Sequence, residues 1–139
     1  MKKLIIDTNA LISFVTDRNP AQQEIVGRFF EEASNLKLTI LCHQNVLTEF
    51  VYVMEKVYLL PKEKIHEMVE DLLATPGIEI VDMLDYKHLL LFWPEKVSDF
   101  GDAVLAAFAK SRKDSDIVTF DQKFLKTARA LGLKVLSFQ

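Results

Sequence analysis

Short, almost wholly apolar runs alternate along this 139-residue chain with longer stretches of helical periodicity, and that alternation limits the fold more than any other feature. Five runs read as strands: Leu4–Asp7, Leu38–Cys42, Ile78–Val81, Asp116–Phe120 and Lys134–Phe138. Several are nearly continuous, the pattern of strands covered on both faces. Helical spans lie between them. Pro20 opens one that runs to about residue 33, with Ile25, Val26, Phe29 and Phe30 at helical spacing. Others run from about 45 to 58 and from Pro61 to about 75, before Pro76-Gly77. Tyr86–Trp93, Asp99–Arg112 and Asp121–Leu131 complete the set, with Gly132 as a C-cap. Strand–helix alternation predicts an α/β sandwich around a parallel sheet with right-handed crossovers, in one domain spanning residues 1–139.

Composition narrows the function classes. Half the residues are hydrophobic and only four are Gly and four Pro, which excludes a disordered or collagen-like chain. No apolar run approaches the roughly 20 residues of a membrane span, and the start, Met1-Lys2-Lys3-Leu4, shows no secretion signal. A single cysteine, Cys42, rules out an internal disulfide and fits a reducing cytoplasm. The net charge of −3 argues against a broadly basic nucleic-acid-binding surface, though not against a local basic patch. Three scattered histidines without a cysteine cluster do not make a structural zinc site.

Four acids carry the chemical interest. Asp7 ends the first apolar run in LIIDTNALI, and Asp121 repeats the arrangement in IVTFDQKF. Each reads equally as the N-cap of the helix that follows. Glu49, in NVLTEFVYVMEKV, falls on the shoulder of a helix whose apolar stripe is Val46, Phe50, Val53 and Val57; there it is either solvated or leans toward a cleft. Asp102, in SDFGDAVLAAFAK, sits in the first turn of a helix apolar on all sides, with Asp99 as a possible N-cap and the weaker candidate for chemistry. Thr119 adds a hydroxyl near the strand end, although a β-branched strand residue explains it as well. Taken together, the acids are expected to meet at the carboxyl edge of the sheet, where ligands bind in open α/β folds. Two carboxylates about 4 Å apart repel by roughly 4 kcal/mol at an effective dielectric of 20. A hard divalent cation such as Mg²⁺ or Mn²⁺ relieves that repulsion, suits all-oxygen ligation and activates water for attack on a phosphodiester.

With those motifs in view, LIIDTNALI, the helical TEF around Glu49, DAVLAAFA from Asp102 and VTFDQKF with Asp121, the chain resembles the PIN domain, in particular the VapC-type toxins of toxin–antitoxin pairs. The resemblance covers nearly the whole chain. It implies a Mg²⁺- or Mn²⁺-dependent endoribonuclease with a five-stranded parallel sheet of order 3-2-1-4-5. It further implies that Asp7, Glu49, Asp102 and Asp121 form the metal-binding set, supported by Asn9 and Thr119. Many relatives place the last acid directly before the Phe of the fourth motif, where this chain has Lys123; Asp121 then serves, through water. An antitoxin that covers the acidic cleft and a homodimer are also implied.

Lys110, Arg112 and Lys113 follow the Asp102 helix, and Lys123, Lys126 and Arg129 form a stripe on the last one. These basic residues are either a solvated helix face or a place to hold RNA phosphates beside the acidic site. A receiver domain needs an acidic pair after the first strand, and a haloacid-type phosphatase needs a second Asp where Asn9 stands. A DNA nuclease of related fold usually carries more acids and insertions. A catalytically silent interaction module and a housekeeping RNA-processing nuclease remain as alternatives.

Overall fold

The computed structural model describes residues 2–138. Its strands are β1 (Lys2–Ile6), β2 (Leu38–His43), β3 (Ile78–Val81) and β4 (Ser115–Val118). Its helices are α1 (Thr8–Val15), α2 (Pro20–Ser34), α3 (Gln44–Lys56), α4 (Lys62–Ala74), α5 (Tyr86–Phe92), α6 (Phe100–Ser111) and α7 (Gln122–Ala130). All strand pairs are parallel, in the order β3-β2-β1-β4. Leu4, Ile5 and Ile6 are buried in succession, so both faces of β1 are covered, as its unbroken apolar run requires.

The fifth expected strand, Lys134–Phe138, contracts to a single parallel bridge between Val135 and Ile117 on the outer side of β4. Two hydrogen bonds hold it, from the Ile117 amide to the Lys134 carbonyl and from the Leu136 amide to the Ile117 carbonyl, both 2.9 Å. The reason lies in β4. Ser115, the residue two positions before Ile117 and so facing the same side, donates its amide to the Arg112 carbonyl in the preceding turn. Little of the four-residue strand is left to pair outward. The expected order 3-2-1-4-5 is otherwise kept.

Helix starts follow local chemistry. Asn19 caps α2 through the Gln22 amide, with Pro20 at the first helical position. His43 caps α3 with Nδ1 accepting the Asn45 N–H, which leaves Nε2 to donate to the Met83 carbonyl at 3.0 Å. Gly77, at φ +80°, turns the chain into β3 against the Ala33 backbone, where a side chain has no room. Phe14 of α1 stacks on Phe30 of α2 at 4.0 Å between ring centres. Phe50, Phe108 and Phe124 anchor α3, α6 and α7 in the same core. Cys42 of β2 is buried in the same core, and burial pushes its thiol up to about 12, so it stays protonated at neutral pH. Among the described residues no helix is long and apolar enough to cross a membrane.

Candidate active site

Strand order reverses between β1 and β4, and Asp7 stands at that point. Its backbone amide donates to the Val118 carbonyl at 2.9 Å, which ties the end of β1 to the end of β4. One residue later α1 begins, and Asp7 caps it: Oδ1 accepts the Thr8 amide at 2.8 Å. Oδ2 accepts from the Thr119 hydroxyl at 2.7 Å and from Asn9 Nδ2 at 2.8 Å. Asn9 Nδ2 also donates to Thr119 Oγ1, and its Oδ1 accepts the Phe120 amide at 2.8 Å. Asn9 and Thr119 therefore clamp the carboxyl across the two strand ends. Three of the roughly four acceptor positions of a carboxylate are thus filled.

Glu49 reaches the same place from α3. Its Oε2 accepts from the Thr8 hydroxyl at 2.8 Å and its Oε1 from Asn45 Nδ2 at 3.2 Å. From α6, Asp99 caps the helix by accepting the Asp102 amide at 2.9 Å, and Asp102 occupies the first turn. Gly101 lies between them, and a Cβ there would collide with Glu49 Oε1. The glycine lets α6 and the Glu49 carboxylate come together. Asp121 caps α7, with Oδ1 accepting the Lys123 and Phe124 amides at 3.0 and 3.1 Å.

These side chains line one cleft of about 380 Å³. Asp7, Glu49, Asp99, Asp102 and Asp121 contribute carboxylates, Thr8 and Asn9 polar groups, and Ile12, Tyr52 and Val53 an apolar flank. Among the described residues no Lys or Arg lines it. The N-termini of α1, α6 and α7 all point here, and their dipoles offset part of the accumulated negative charge.

The remaining charge leaves its mark on two acids. Burial pushes the Asp7 carboxyl up to about 6; the Thr119 and Thr8 donors oppose the rise, and nearby Glu49 adds to it. Asp102 is pushed up to about 7, first by burial, then by Asp7, Asp99, Asp121 and Glu49. Each acid is easier to ionise once a cation enters.

The acids surround the cleft and do not converge on one point: among the described residues, no three carboxylate, imidazole or thiol groups form a ready-made ligand set. The all-oxygen lining suits a hard Mg²⁺-like ion, which is usually held through one or two carboxylates and keeps several waters. It does not suit a dehydrated soft metal, and no thiol or imidazole lines the cleft.

All four expected acids and Asn9 thus line a common cleft, and Thr119 lies beneath it at 1% exposure. Lys123, Lys126 and Arg129 do not line it; they lie on the exposed face of α7. Asp99, the weaker candidate in the sequence, lines the cleft and raises Asp102. Thr8, Asn45 and Tyr52 carried no recognisable sequence signal for this site. Only the FG pair before Asp102, a glycine inside a helix start, hinted at a close approach.

The chain is 25% identical over 133 residues to a VapC ribonuclease of Aquifex aeolicus (strain VF5), covering 96% of this chain and 95% of that one. In fold it matches a chain from the crystal structure of DNA-bound VapBC from Salmonella typhimurium. That match has a TM-score of 0.71 and 23% identity and covers 98% of both chains. The sequence pattern of the PIN domain matches residues 4–130. The chain belongs to the PIN domain family.

Proposed function

We propose that residues 1–139 form a single-domain, divalent-metal-dependent endoribonuclease, and that it acts as the toxin of a toxin–antitoxin pair. The observation that carries this reading is the cleft at the ends of β1 and β4, lined among the described residues by five carboxylates and no cation. Asp7, Glu49, Asp102 and Asp121 would hold Mg²⁺ or Mn²⁺ there. When bound, the metal supplies activation of the attacking water and neutralisation of charge at the phosphorus. Asn9 and Thr119 orient the Asp7 carboxyl, and Thr8 and Asn45 orient that of Glu49. The likeness to the Aquifex ribonuclease supports RNA as the substrate. Assembly with an antitoxin, a homodimeric state and a cytoplasmic location belong to the same reading.

Incubating the protein with end-labelled RNA and millimolar Mg²⁺ or Mn²⁺ tests it. Internal cleavage that leaves 5′-phosphates and stops in excess EDTA is expected; full cleavage in EDTA contradicts the reading. Growth arrest on expression, relieved by a small neighbouring gene product, separates a toxin from a housekeeping nuclease. The dispersed acids favour a second reading, a PIN fold that binds a partner without cleaving. Absence of Mg²⁺ and Mn²⁺ binding at millimolar concentration would support it.

A further inference from the structure

The foot of the sheet carries the opposite charge. Lys110 and Arg112 at the end of α6, Lys113 in the turn, Ser115 at the start of β4 and Lys134 beyond α7 line a pocket of about 300 Å³. Among the described residues four cations surround it and no carboxylate does. None of the four forms an ion pair among the described residues; the nearby Asp114 faces Lys3 instead, at 3.6 Å. The Arg112 guanidinium sits 5.5 Å from the Phe108 ring centre, so aromatic packing helps set its direction. Favourable interaction with the carboxyl end of α6 accounts for Lys110 and Arg112. It does not account for Lys134, which another segment brings to the same pocket. In a protein with a net charge of −3, an unpaired basic concavity calls for an anion.

α7 connects this pocket to the cleft. It starts at Asp121, which lines the cleft, and Gly132 just beyond its end lines the pocket. Lys123, Lys126 and Arg129 are exposed along it at three-residue intervals. The helix spans about 13 Å at about 1.5 Å per residue, a distance one bound strand can cover.

We propose that the pocket at the foot of β4 is a phosphate-binding subsite for the RNA strand, engaging it away from the scissile bond. This rests on the ribonuclease reading above. Binding of a labelled single strand of roughly 12 nucleotides is measured in EDTA, where no cleavage is expected, for the wild type and a Lys113→Gln/Lys134→Gln variant. Salt is varied between about 50 and 200 mM. Loss of two phosphate contacts lowers the slope of log affinity against log salt by about 1.4. Lys113→Arg/Lys134→Arg restores the slope, which separates charge from misfolding. With Mn²⁺, a dinucleotide too short to reach the pocket is cut equally by both proteins. An unchanged slope, or no RNA binding by the wild type, overturns the proposal. So does calorimetric binding of inorganic phosphate that the variant loses while the RNA slope stays the same, since the ligand is then free phosphate. A lower slope in a protein that cleaves no RNA leaves the subsite standing and removes the nuclease reading.

Discussion

Asp7 directly follows β1, whereas β4 stops at Val118, two residues short of the expected Phe120, so that Thr119 and Phe120 precede Asp121. Each aspartate caps the next helix, yet the two carboxyls have different surroundings. Asp7 is 6% exposed, and burial raises it to about 6. Asp121 is exposed, and its Oδ1 serves two amides of its own helix. What separates them is tertiary. Thr119 and Asn9 close over Asp7 from the adjacent strand end and the following helix, while among the described residues only backbone amides donate to the Asp121 carboxylate, and Thr119 Oγ1 merely accepts the Asp121 amide. A strand-end acid becomes chemically poised when a neighbouring strand end covers it. Capping and chemistry are then two uses of one side chain.

The largest effect should come from paired substitutions at these positions. Asp7→Asn should slow single-turnover RNA cleavage by more than about 100-fold, beyond the range typical for groups that only support a metal ligand. Asp121→Asn should cost about tenfold or less and leave the melting temperature unchanged, because Asn caps a helix as well as Asp. Equal losses at the two positions would erase the distinction between buried and exposed strand-end acids.

A smaller effect is expected at the clamp. Thr119→Val keeps the shape but removes the donor to Asp7 Oδ2. Cleavage should fall about 10- to 100-fold, and urea unfolding should show a loss of about 1–3 kcal/mol. Loss of stability with full activity would make Thr119 a structural residue alone.

Much of this was legible in the sequence, for reasons the structure makes plain. β1 to β3 and most helices announce themselves because their burial is periodic or continuous, and the acids stand where strands end or helices begin. α1 gave away only its start, since Ala10, Leu11 and Ile12 are all buried and show no polar face to reveal a helical period. The fifth strand was overread, because an apolar run does not disclose that the turn before β4 has taken the Ser115 amide. That Asp99 also lines the cleft was hidden for a similar reason. Its role depends on how closely α6 approaches Glu49 through Gly101, a helix-to-helix distance that no local pattern encodes.

The most direct measurement is thermal melting with and without millimolar Mn²⁺ across pH. Asp7 and Asp102 hold protons more tightly in the folded chain than at their ordinary value of 3.8. Their contribution to metal-free stability is therefore fully present below about pH 4 and lost as pH rises through about 6 to 7. A cation that binds the ionised acids restores stability only where they are ionised. Mn²⁺ should raise the melting temperature clearly at about pH 8 and hardly at all near pH 5, and the rise should vanish in Asp7→Asn/Asp102→Asn. A rise of equal size at both pH values, or one that survives in the double variant, would contradict metal binding by this cleft.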